Sequence, residues 1–213
     1  IKPVPSILTM PIAPDLLRKT IFIDPGGYAF EVVAPPRNAF VGGYLSGDLY
    51  RYFNIYGLPH TLTPIVAGEA KINEMSNPAG DLFTQSKVSN FLIHAVGPGQ
   101  STPNYWRKLE DTIISIAARI TEQAELFKDC NAIAIPFISG GSFLPKKITF
   151  NDYLENFIGY IQRHLAQLTQ TIYLHVFKTG EQTAFAKLQK DKSALFQKNE
   201  KPKPNARNKT RDS

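Results

Sequence analysis

Short apolar runs alternate with longer stretches of helical period through the second half of this 213-residue chain, and that alternation predicts most of its elements. Phe91 to Val96 (FLIHAV) is almost wholly apolar and closes on Gly97-Pro98, as a strand buried on both faces does. From Trp106 to Phe127 apolar residues fall at 106, 109, 113, 116, 117, 120, 124 and 127, one face of a long helix. Ala132 to Ile138 (AIAIPFI) reads as another buried strand, ended by Ser139-Gly140-Gly141. Tyr153, Leu154, Phe157, Ile158, Ile161, Leu165 and Leu168 return to helical spacing. Thr171 to Phe177 (TIYLHVF) then reads as a last central strand, and Gly180 to about Lys198 as a last helix. Strand and helix in strict alternation predict an α/β fold, with right-handed crossovers, a mainly parallel central sheet and helices on both faces.

The first half is less regular. Pro3, Pro5, Pro11 and Pro14 predict an extended lead-in over residues 1–17. Thr20 to Asp24 (TIFID) and Tyr28 to Ala34 (YAFEVVA) read as strands flanking a turn at Pro25-Gly26-Gly27. Asp48 to Tyr56 reads as a short helix ended by Gly57, with Ser46 or Asp48 near its N-cap. Ligands of open α/β sheets lie outside the carboxyl ends of the strands, so the loops after Ala34, Val96 and Ile138 are the expected site.

Composition narrows the function class. With 43% hydrophobic and 20% charged residues the chain is globular, which excludes a wholly disordered or fibrous protein. The net charge of +6 suggests a polyanion partner until it is located. Residues 1–186 hold 15 basic and 15 acidic residues; residues 187–213 hold nine basic and three acidic. The expected organisation is thus a lead-in over 1–17, a domain over 18–198 and a flexible basic tail over 199–213, the tail offering at most weak polyanion binding. The single Cys130 excludes an internal disulfide framework and fits a reducing, intracellular, cytoplasmic setting. No apolar run reaches the roughly 20 residues of a membrane span, so no membrane partner is expected. The chain starts at Ile1 rather than Met, which leaves open a leader ahead of it.

Familiar nucleotide motifs are missing: there is neither GxxxxGK[ST] nor a strand-to-helix GxGxxG. His60, His94, His164 and His175 are scattered without metal-ligand spacing, so no metal is expected, and His94 and His175 read as hydrogen-bonded core residues. Ile138-Ser139-Gly140-Gly141-Ser142-Phe143 carries more. Two glycines at the end of a buried strand let backbone N–H groups approach an anion, and Phe143 offers a flat face to a sugar or base. An ordinary tight turn explains the same residues equally well.

Three segments in order resemble the macro domain family. Leu92 to Pro98 (LIHAVGP) looks like its "IHxVGP" strand end, Ala134 to Gly141 (AIPFISGG) like its "AFPAISTG" phosphate loop, and Gly68 to Ile72 (GEAKI) like its "GEAKI" segment. The resemblance covers about residues 20–178 and implies a three-layer α/β/α, macro-domain-like fold with a mixed, mainly parallel sheet. Family motifs nearer the N-terminus are eroded. Asp24, Asn38 and Asp48 keep the 14- and ten-residue separations of the family's "GDI", "VNAAN" and "GGGVD" landmarks, with Gly42-Gly43 between the last two. An alignment anchored on the glycines alone puts Pro36 and Ser46 at the Asn and Asp positions instead.

By that resemblance the ligand is ADP-ribose, free or on a modified protein, with no further cofactor. Asp24 would accept from the adenine amino group. Gly42, Gly43 and the loop of Ser139, Gly140, Gly141, Ser142 and Phe143 would wrap the diphosphate, with Phe143 and Tyr44 beside the distal ribose. Asn38 would bind the ribose hydroxyls, and Asp48 would orient or deprotonate a water at the anomeric carbon, as a general base does. The resulting expectation is an ADP-ribose-binding protein that hydrolyses an ADP-ribosyl linkage. A non-catalytic reader module and a hydrolase of a small ADP-ribose derivative stand as alternatives.

Overall fold

A computed structural model describes residues 1–5, 20–26, 49, 65–74 and 91–196. Among these residues six strands form one sheet: β1 (Lys2–Val4), β2 (Thr20–Gly26), β3 (Glu69–Glu74), β4 (Phe91–Val96), β5 (Ala132–Ile135) and β6 (Thr171–His175). Their order is β1-β6-β5-β2-β4-β3. All neighbours pair in parallel except β3, which runs antiparallel along β4 at one edge. The described residues also form helices α1 (Tyr105–Glu122), α2 (Phe150–Tyr160, continued by a π-helical turn over Ile161–Leu165) and α3 (Thr179–Asp191). The mixed, mainly parallel α/β/α arrangement predicted from the sequence is the one observed.

The central strands are apolar throughout because both faces are covered: Ile21, Phe22, Ile23, Leu92, Ile93, Ala132, Ile133, Ala134 and Ile135 are fully buried. Helix α1 buries Leu109, Ile113, Ile116 and Ile120 at i, i+4, i+7 and i+11, each worth about 1.5–3 kcal/mol on leaving water. It ends at Glu122 rather than Phe127, and irregular turns carry Phe127 back into the core.

One expectation is refined and one corrected. Within the extended lead-in, residues 2–4 form an edge strand, Lys2↔Tyr173 to Val4↔His175, where Pro3 is tolerated because an edge strand is laddered on one side only. Pro25 and Gly26 do not turn the chain; β2 runs on through them, paired with Ala95 and Val96. The β5 ladder on β2 stops at Phe22↔Ala134, so Pro25 lies where pairing continues along β4 alone. At the centre of the sheet β2 lies directly between β4 and β5. The predicted strand Tyr28–Ala34 and most of the predicted helix 48–56 lie outside the described residues; Leu49 alone is described there, helical and fully buried.

Part of the basic excess of residues 187–213 lies on the last helix. Lys187, Lys190 and Lys192 lie on α3 or just beyond it, with Lys187 paired to Asp191 and Lys192 to Glu155. Phe196 packs edge-on against buried Phe185. No helix among the described residues is long and apolar enough to cross a membrane.

Candidate functional site

The carboxyl ends of β2, β4 and β5 lie side by side, and the glycine loops after β4 and β5 interlock there. Gly97 is the contact point: a Cβ on it would lie 2.2 Å from the Ser139 hydroxyl oxygen and 2.5 Å from Ile138 Cγ2. Only a residue without a side chain lets the two loops meet so closely.

Two buried tyrosines aim the β5 loop. The Tyr153 hydroxyl donates to the Ile138 carbonyl at 2.6 Å and the Tyr105 hydroxyl to the Ser139 carbonyl at 2.9 Å. Because a trans peptide unit is planar, its N–H points opposite to its C=O. Tying the carbonyls of 138 and 139 to the tyrosines therefore turns the N–H groups of Ser139 and Gly140 away from those hydroxyls, two successive donors presented by one loop. Ser139 reaches this geometry at φ 62°, a left-handed conformation uncommon for a residue with a side chain. Burial raises the pKa of both Tyr105 and Tyr153, so both stay neutral donors.

Gly140 is fixed by the same contact. A Cβ there would fall 2.4 Å from Tyr153 Cε1, and that ring is held by stacking on Phe157 with centroids 5.4 Å apart. At Gly141 nothing lies within 4 Å of the added carbon, so the loop opens outward from that point. Its carbonyl accepts from Leu144 N–H and the Ser142 carbonyl from Gln100 Nε2 at 2.7 Å, while Phe143 is 42% exposed. No lysine or arginine occurs from Pro136 to Phe143, so any anion held there is met by backbone dipoles.

Asp24 pairs in register with His94 across β2 and β4, both are fully buried, and its Oδ2 lies 2.6 Å from His94 Nδ1. His94 is the hydrogen-bonded core residue its strand position implies. Asn38, Gly42, Gly43, Tyr44 and Asp48 lie outside the described residues. Among the described residues no group of three His, Cys, Asp or Glu could hold a metal ion.

One exposed residue was read only as part of a strand. Phe177 follows β6, next to β5, and is 68% exposed, yet its backbone is held firmly. Glu181 accepts from the N–H groups of Phe177 and Lys178, and Gln182 Nε2 donates to the carbonyls of Val176 and Phe177. The His175 ring supports it edge-on at 5.8 Å. A large aromatic kept in water on a rigid backbone at the carboxyl edge is a ready stacking face. Glu181 three residues past the N-cap was the available sequence signal.

Solved structures match this architecture. An alphavirus P23pro-zbd protein matches with TM-score 0.53 and 16% identity over 84% of this chain and 22% of its own. An Oceanobacillus iheyensis macrodomain with ADP matches with TM-score 0.53 and 14% identity over 83% and 87%. The fold is the macrodomain fold. A Trypanosoma brucei macrodomain in complex with ADP-ribose matches with TM-score 0.50 and 16% identity over 82% of this chain and 64% of its own. The chain thus spans about a fifth of the alphavirus protein and just under two thirds of the trypanosome one. No protein-family model and no curated protein matches the sequence. In this macrodomain fold the interlocked loops occupy the carboxyl edge, where ligands of open α/β sheets bind.

Proposed function

We propose that this macrodomain-fold chain binds ADP-ribose and releases it from a modified protein. The observation that carries the binding half is the pair of N–H groups at Ser139 and Gly140, aimed by two buried tyrosines beside the Gly97 contact. A diphosphate is the anion such a loop suits: it needs several donors at short range and no compact counter-charge. The fold is shared with macrodomains solved with ADP and with ADP-ribose, which supports the same ligand here. In this reading the Ser139–Gly141 backbone takes the diphosphate, Phe143 flanks the distal ribose, and Phe177 gives the adenine a stacking face. Gly42 and Gly43 join that backbone at the diphosphate, and Tyr44 and Asn38 lie on the ribose side.

The hydrolytic half rests on Asp48. Its chain neighbour Leu49 is helical and fully buried. A carboxylate at the anomeric carbon orients water and stabilises the cation-like sugar of the transition state. Backbone amide resonances test the binding half: on adding ADP-ribose, those of Ser139, Gly140 and Gly141 shift together, and a titration that leaves them unmoved refutes the site. Turnover of ADP-ribosylated protein by the wild type and by Asp48→Ala tests the catalytic half, which predicts its loss in the variant; unchanged turnover overturns the Asp48 assignment, and a wild type without turnover favours a reader module.

A further inference from the structure

Beyond the glycine loops lies a groove of about 770 Å³ that the ADP-ribose reading leaves unused. One wall is the segment Gln100–Trp106 after β4, and the other includes Lys147, Asp152 and Asn156 at the approach to α2 and along it. It adjoins the candidate site through Gln100, a groove residue whose side-chain amide donates to the Ser142 carbonyl of the β5 loop.

Its chemistry differs from that of the anion loop. The two charges named on its walls, Lys147 and Asp152, are of opposite sign, so it does not select a polyanion. Asn104, Gln100 and Asn156 carry amides, each both donor and acceptor, which matches the one donor and one acceptor of every peptide unit. Asn104 is the N-cap of α1, yet its side chain makes no capping bond; it lines the groove from a left-handed backbone at φ 56°. Trp106, half-buried and edge-packed on Tyr105, adds an apolar strip. The volume lies within the roughly 300–1,000 Å³ of sites for small ligands, which suits a short stretch of chain rather than a folded domain.

We propose that this groove holds the polypeptide flanking the modified side chain of an ADP-ribosylated protein, in extended form and mainly through its backbone. The inference rests on the ADP-ribose reading: a protein attached at the distal ribose leaves the cleft past Ser142 and Phe143, and the groove begins at the Ser142 contact.

The test compares three ligands by heat of binding on the full chain: ADP-ribose, ADP-ribose coupled through an aminooxy group at its anomeric carbon to a neutral Gly/Ala/Ser peptide of about seven residues (roughly 23 Å extended), and a linear dimer of ADP-ribose. The peptide conjugate binds about five- to tenfold tighter than ADP-ribose, the worth of one or two net hydrogen bonds. The double variant Asn104→Gly/Asn156→Ala abolishes that gain, leaves the affinity for free ADP-ribose unchanged and melts like the wild type; glycine accepts the left-handed position without strain. A conjugate no tighter than ADP-ribose overturns the proposal, as does a gain that survives the double variant. Tighter binding of the dimer that is lost in the double variant assigns the groove to a second sugar-nucleotide instead, and also overturns it. If free ADP-ribose itself does not bind the folded wild type, the ligand reading fails, and the groove assignment falls with it.

Discussion

Replacing Tyr153 with Phe isolates the device that aims the anion loop. The substitution removes one oxygen and keeps the ring, its stacking on Phe157 and its contact with Gly140, so the core loses almost no volume. What it removes is the donor at 2.6 Å from the Ile138 carbonyl. Leaving a buried carbonyl without that donor costs about 1–3 kcal/mol. At about 2–4 °C per kcal/mol for a domain of this size, a cost of about 2 kcal/mol lowers Tm by about 4–8 °C. The functional effect is separate. Once the 138–139 peptide unit can rotate, the Ser139 N–H no longer holds its direction, and losing about half of one hydrogen bond to a charged phosphate weakens ADP-ribose binding about tenfold. Thermal melting and calorimetry on the same samples read both. A lower Tm with unchanged affinity refutes the peptide-plane argument, and no change in either refutes the hydrogen bond itself.

Other perturbations test neighbouring parts of the account. Asp24→Ala removes a buried hydrogen-bond partner of His94 and lowers stability by about 1–3 kcal/mol, measured by denaturant unfolding; Asp24→Ala/His94→Leu recovers part of that loss. Gly97→Ala forces a methyl into Ser139 and Ile138 and destabilises by about 1–3 kcal/mol, with ADP-ribose affinity falling alongside. Glu110 is held below the usual carboxylate range, first by its hydrogen bond from His164 and then by Arg163, against a desolvation that opposes them. A depressed folded-state pKa gives stability that is present above the unfolded value of about 4.3 and lost as pH falls through the folded one. Melting temperatures from pH 6 down to about pH 3 therefore fall more steeply for the wild type than for Glu110→Gln.

What the chain disclosed on its own follows from where its physics is local. β4, β6 and the helices were legible because burial on both faces or on one face writes itself as a run or a period of 3.6. β1 was not, since three residues with a central proline carry no period and become a strand only by lying along β6. The run-on of β2 through Pro25 and Gly26 was hidden for the same reason: Pro-Gly-Gly has the chemistry of a turn, and pairing with Ala95 and Val96 overrides it.

The site divides likewise. Ser139, Gly140 and Gly141 were visible as a glycine loop at a strand end. The tyrosines that aim the loop come from two helices, 34 and 15 residues away in sequence, and nothing local marks them as its anchors. Asp24 and His94 are 70 residues apart, and only the sheet register makes them neighbours.

Calorimetric titration of the full chain with ADP-ribose, set beside AMP and NAD under the same conditions, tests the central claim most directly. The account predicts saturable binding of ADP-ribose at micromolar concentration or below, with AMP and NAD at least tenfold weaker, a difference of about 1.4 kcal/mol. No saturable heat with ADP-ribose, or equal affinity for AMP, would contradict it.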